Sequence, residues 1–118
     1  MHEYSIVAAL IDMCESSARE HNARSVERVK IAIGERSGVE RTLIEGAFHQ
    51  FKQDSVYCKD SALEIENERV ELACRDCGVS FTPPSLEYGT CTHCHSHNVA
   101  LTKGRELHLL SLELVSEE

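Results

Sequence analysis

The chain has 118 residues, room for one small core and an appended module but not for two full domains. At 42% hydrophobic and 27% charged residues, with two prolines and no repeat, it is not a disordered or low-complexity chain. The formal charge of -8 sets the surface against polyanions and disfavours a nucleic-acid partner.

In chain order, Val7, Leu10, Ile11, Cys14 and Ala18 recur at helical spacing, with Asp12, Glu15, Ser16 and Arg19 between them. This pattern predicts a helix over Tyr4 to His21 with one buried face, on which Cys14 reads as a small buried hydrophobe. Residues Val26 to Ile33 alternate, placing Val29, Ile31 and Ile33 on one side and Arg28 and Lys30 on the other, as in a half-buried strand. Gly34 to Gly38 is a polar loop, and Ser37 followed by Glu40 suggests a capping box for a second helix running to about Gln53. The expected buried face of that helix is Leu43, Ile44, Ala47, Phe48 and Phe51. A loop with Cys58 precedes a second alternating strand, Ala62 to Glu66, with Leu63 and Ile65 inward. Leu107 to Val115 is leucine-rich on both pleat faces, which predicts a strand inside a sheet covered by helices. The expected fold is α+β: two helices packed on a small mixed sheet of about three strands. This domain takes 1–69 plus 103–118, and a four-cysteine zinc ribbon is inserted at 70–102.

The stretch from Cys74 to Cys94 carries the clearest chemistry. Cys74 and Cys77 form one Cys-x-x-Cys pair, and Cys91 and Cys94 form a second after thirteen intervening residues. Two such turns folded back on each other direct four thiolates at one tetrahedral zinc. Thioredoxin-like redox chemistry uses one pair at the start of a helix, whereas here Pro83, Pro84 and Gly89 favour turns. The segment has few apolar side chains, chiefly Val79, Phe81, Leu86, Tyr88, Val99 and Leu101, so a bound metal is expected to supply much of its folding energy. Four cysteine ligands leave no open position, which makes the zinc structural. His93, His95 and His97 crowd the second pair. They read either as exposed loop residues or as auxiliary groups that tune or replace zinc ligands as pH falls.

The start of the chain, Met1-His2-Glu3, offers a second metal site. The amine of Met1, the backbone nitrogen and imidazole of His2 and the amide of Glu3 can close adjoining chelate rings, a planar nitrogen set suited to nickel(II) or copper(II). Read by itself, His2 is better explained as a solvated terminal residue. The start lacks a basic leader and no apolar run reaches the roughly 20 residues of a membrane span, so a cytoplasmic, reducing location is expected, with Cys14 and Cys58 as free thiols.

Taken together, M-H-E at the start, I-G-E after the first strand, the two C-x-x-C pairs and the leucine-rich terminal strand resemble the HypA/HybF nickel metallochaperones, which mature nickel-iron hydrogenases. The resemblance covers the whole chain. It implies nickel at Met1, His2 and Glu3 and structural zinc at Cys74, Cys77, Cys91 and Cys94. It also implies a nickel-handling GTPase and the hydrogenase large subunit as partners, with urease accessory proteins as a further possibility. Some relatives place a histidine just after the first cysteine pair, where this chain has Gly78 and Val79. An enzyme would need an open zinc position or a nucleophile beside a base, and neither is visible; Glu35, Glu40 and Glu45 read as solvated charge. The competing class is an acidic zinc-ribbon module for protein interaction or nucleic-acid association, without nickel.

Overall fold

The computed structural model describes residues 2–83 and 89–116, without the side chain of His2. Expectations for Met1, Pro84, Leu86 and Tyr88 therefore lie outside the described residues. The elements run α1 (His2–Glu20), β1 (Ala23–Gly34), α2 (Arg41–Lys52), β2 (Ala62–Glu68), β3 (Glu71–Cys74), β4 (Ser80–Phe81), β5 (Val99–Lys103) and β6 (Leu107–Ser116). They form two compact units, one of Met1–Ala32, Val39–Glu66 and His108–Glu118, the other of Ile33–Gly38 and Asn67–Leu107.

In the first unit, α1 buries the expected stripe of Val7, Leu10, Ile11, Cys14 and Ala18. The helix stops where the ring Nδ1 and the backbone N–H of His21 both reach the Ser17 carbonyl, at 2.9 and 3.1 Å. Asn22 then turns the chain at φ 53, a left-handed conformation that asparagine tolerates. In β1, Val29, Ile31 and Ile33 are buried as expected, but Glu27 and Arg28 are exposed in succession after buried Val26. The alternation slips there because Val26 pairs elsewhere: its N–H donates to the Tyr57 carbonyl at 2.8 Å, and its carbonyl accepts the Ser61 hydroxyl.

Helix α2 corrects two expectations. It begins at Arg41, with Glu40 as an extended N-cap (φ -93, ψ 123) that makes no side-chain capping bond. Ser37 is instead held in a turn, its N–H on the Gly34 carbonyl at 3.0 Å, and Gly38 bends the chain at φ 75, so the capping box does not form. Ile44, Ala47 and Phe48 are buried, whereas Leu43 lies half exposed at 50%, one position off the buried face of the shorter helix. Phe51 meets Tyr4 of α1 with ring centroids 5.6 Å apart, an added contact between two packed helices.

The sheet of this unit has the order β2-β1-β6. Among the described residues β6 therefore ends the sheet, contrary to the interior position expected for it. Its leucines are half-buried or exposed, Leu110 at 45%, and the central place goes to the Val- and Ile-rich β1. Arg28 on β1 lies 3.7 Å from both Glu64 on β2 and Glu113 on β6, a cross-strand charge set on an exposed face.

The second unit carries an antiparallel sheet of order β4-β3-β5. Leu72 on β3 stands opposite Phe81 and Leu101, and with Val70, Cys74 and Cys91 it is buried. The Ile33–Gly38 segment joins this unit through backbone contacts that no side chain could share. A Cβ on Gly34 would come within 2.5 Å of the Gly104 backbone, and Gly104 itself sits at φ 89 against Val70. Around them the Glu35 N–H donates to the Glu68 carbonyl at 2.9 Å. The Glu35 carboxylate accepts the Val70 N–H at 2.8 Å, and the Glu68 carboxylate accepts the Gly104 N–H at 2.9 Å. Glu35 is thus a built-in acceptor for a strand-start amide and not the freely solvated charge that its sequence context suggested.

Candidate metal centre

Each Cys-x-x-Cys pair folds by the same local rule. The N–H of Gly78 donates to the Cys74 carbonyl at 2.9 Å, and the N–H of His95 donates to the Cys91 carbonyl at 3.1 Å. One bond further out, the Cys74 N–H reaches the Val79 carbonyl at 2.9 Å and the Cys91 N–H reaches the Ser96 carbonyl at 2.8 Å. The residue that follows each pair takes positive φ, 78 at Gly78 and 63 at His95. Two knuckles with the same hydrogen-bond pattern result.

The four sulfurs converge. Cys74 Sγ is 3.6 Å from Cys94 Sγ, Cys77 Sγ is 3.7 Å from Cys91 Sγ, and all four lie within 4.8 Å of one another. Thiolates bound tetrahedrally at a zinc–sulfur distance of about 2.3 Å stand about 3.8 Å apart, so the two short separations match edges of a zinc tetrahedron. Backbone dipoles favour the thiolate form. The N–H groups of Cys94 and His93 lie 3.4 and 3.3 Å from Cys91 Sγ, and with Cys94 as the main cause they bring the Cys91 thiol down to about 6. The Cys74 thiol is likewise lowered, chiefly by the backbone N–H of Cys77. Zinc bound by Cys74, Cys77, Cys91 and Cys94 would cross-link the two knuckles and leave no position for a substrate.

Three residues the sequence reading passed over lock the knuckles together. The Asp76 carboxylate accepts the Ser96 hydroxyl and the Asn98 side-chain amide, the latter at 3.3 Å. The Arg75 N–H donates to the Asn98 carbonyl at 2.9 Å. Those bonds, the Ser96 hydroxyl first, hold the Asp76 carboxyl below its ordinary range. Their only signal in the sequence is a set of short polar residues beside the cysteines, which is common in loops. His93, His95 and His97 are exposed around the second knuckle. His97 Nδ1 lies 3.3 Å from the Gly89 carbonyl and 3.4 Å from the Thr90 hydroxyl.

At the other candidate site, α1 begins at His2, earlier than the periodicity suggested. The backbone nitrogens of His2 and Glu3 thus fall in the first helical turn, whose N–H groups have no carbonyl four residues earlier to bond. Glu3 is 9% exposed, and its carboxyl is lowered foremost by its own backbone N–H and further by that of Glu40. Of the three expected nickel ligands, Met1 and the His2 side chain lie outside the described residues, so the structure places only Glu3 and the His2 backbone.

Similarity to known proteins covers nearly the whole chain. The family described as "Hydrogenase/urease nickel incorporation, metallochaperone, hypA" matches residues 1–114. The chain is 60% identical to the hydrogenase maturation factor HypA of Helicobacter hepaticus over 114 residues, 97% of either chain. It is 49% identical to the hydrogenase/urease maturation factor HypA of Helicobacter pylori over 117 residues, covering 99% of this chain and 100% of that one. Among solved structures, the solution structure of the Ni metallochaperone HypA from Helicobacter pylori superposes with a TM-score of 0.77 at 48% identity, covering 98% of each chain.

Proposed function

The chain belongs to the HypA family, and from that premise we propose that it carries nickel(II) at its N-terminus and passes it on during maturation of nickel-iron hydrogenase or urease. The observation that supports the site is the start of α1 at His2, which sets the backbone nitrogens of His2 and Glu3 side by side in the first helical turn. With the Met1 amine and the His2 imidazole they make a planar nitrogen set of the kind nickel(II) prefers. Glu3 anchors this segment through the Glu40 N–H. Because planar chelation and helical dihedrals differ, nickel is taken up as the first turn of α1 unwinds, and release lets the turn re-form. Cargo held at a fraying helix end is easily handed on.

In this reading the zinc at Cys74, Cys77, Cys91 and Cys94 is a fixed strut, the nickel-carrying domain spans 1–69 plus 103–118, and the zinc domain spans 70–102. The exposed His93, His95 and His97 are auxiliary groups at its edge. The protein makes and breaks no substrate bond. Its partners are a nickel-handling GTPase, the hydrogenase large subunit and urease accessory proteins, all met in the cytoplasm. No helix among the described residues is long and apolar enough to cross a membrane.

Nickel titration calorimetry on matched proteins tests the site. Native protein should bind nickel tightly, while His2→Ala, acetylation of Met1 or an uncleaved N-terminal tag should each abolish that binding and leave zinc content unchanged. Equal nickel affinity with a blocked amine would place the metal elsewhere.

A further inference from the structure

The fold brings together two cysteines that neither metal site uses. Cys14 on the buried face of α1 and Cys58 in the turn segment between α2 and β2 are far apart in sequence, yet both are fully buried in the same unit, Ser55 ties the Cys58 turn to Glu15 beside Cys14, and each thiol is the leading influence on the other's ionisation. Two small hydrophobes in a core need no such partner. Cys58 also sits among polar groups: its N–H donates to Ser55 Oγ at 3.1 Å, the Ser55 hydroxyl donates to Glu15 Oε2 at 2.6 Å, and the Ser61 hydroxyl donates to the Val26 carbonyl. Each serine has a single hydroxyl hydrogen, already engaged, which leaves neither serine a proton for the Cys58 sulfur.

We propose that Cys14 and Cys58 are a redox-sensitive pair that closes into a reversible intramolecular disulfide by exchange with a small-molecule disulfide of the glutathione class. Cys58 loses its proton and its thiolate attacks one sulfur of the small disulfide. A mixed disulfide forms at Cys58 and one small thiolate leaves. Cys14 then gives up its proton and attacks the Cys58 sulfur, forming the Cys14–Cys58 bond and expelling the second small thiolate. The two protons lost from the cysteines end on the two small thiols, so the protein is oxidised by two electrons and the small disulfide is reduced by two.

The asymmetry between the two thiols fits this order of events. The neighbouring Cys14 thiol brings Cys58 down to about 7, while the same interaction and burial push Cys14 up. Cys58 is the attacking sulfur and Cys14 the resolving one. Because both are enclosed, exchange waits on the lifting of the segment around Cys58. That segment is held to α1 by the Ser55 to Glu15 bond and by Arg19, 5.8 Å over the Tyr57 ring. The bond would tie the middle of α1 to the segment before β2, in the unit that also carries the N-terminus.

The test uses the full chain as purified with its zinc, equilibrated in mixtures of glutathione and its disulfide, then quenched, unfolded, alkylated and peptide-mapped. In the oxidising mixtures the peptides holding Cys14 and Cys58 should be joined, with the mass of two hydrogens lost and zinc fully retained. The melting temperature should rise by roughly 10 °C. Cys14→Ser should stop at one glutathione on Cys58, and Cys58→Ser should form neither bond. If both thiols are alkylated in the most oxidising mixture, or if the only bonds formed join the zinc-site cysteines with loss of metal, the proposal is overturned.

Discussion

The two units of this chain reach order by different means. The first buries a broad apolar set, with Val7, Leu10 and Ile11 from α1, Val29 and Ile31 from β1, and Ile44 and Phe48 from α2. The second has few fully buried apolar side chains, notably Val70 and Leu72, and two of its other buried residues are the cysteines Cys74 and Cys91. Short strands, two knuckles and a polar lock at Asp76 cannot bury enough apolar surface to offset the entropy of ordering them. The contrast predicts that metal removal and core truncation will damage different units.

The largest expected effect is on the second unit. Cys91→Ala removes the ligand most biased toward thiolate and should abolish zinc retention. The metal contributes on the order of 10 to 16 kcal/mol in small zinc modules, so the β4-β3-β5 sheet should lose its order while most helical circular dichroism survives. Zinc analysis beside circular dichroism reads both. Helix lost in parallel with zinc would erase the distinction between the units.

Ile44→Ala probes the converse. The side chain is fully buried on α2, and its truncation should cost about 3 kcal/mol in a denaturant melt followed by helical signal, with zinc content unchanged. Zinc loss in this variant at native conditions would show that the metal module depends on the apolar core.

The smallest effect sharpens the comparison at the N-terminus. The folded Glu3 carboxyl lies below its ordinary value of 4.5, so its contribution to stability is fully present above that value and is lost as pH falls through the lower folded pKa. Wild type should therefore exceed Glu3→Gln in melting temperature at neutral pH, by a small margin. The two should converge in acid. A gap that persists at the lowest pH would mean that Glu3 acts by packing and not by charge.

Features that depend on near neighbours were legible without coordinates. The four cysteines declare their ligand spacing within each pair, and the stripe from Val7 to Ala18 declares a helix face. These follow from backbone geometry, whose periods of 3.6 and 2 residues operate over a few positions. What required the fold was every decision between distant segments: β1 and not β6 at the centre of its sheet, Ser37 in a turn instead of at a helix cap, and Glu35 on the Val70 amide. The meeting of Cys14 with Cys58 belongs with these, since a thiol on an apolar stripe looks the same in sequence whether it faces a methyl group or another thiol. Only packing decides that difference, because side-chain partners are chosen by which surfaces the tertiary fold brings into contact.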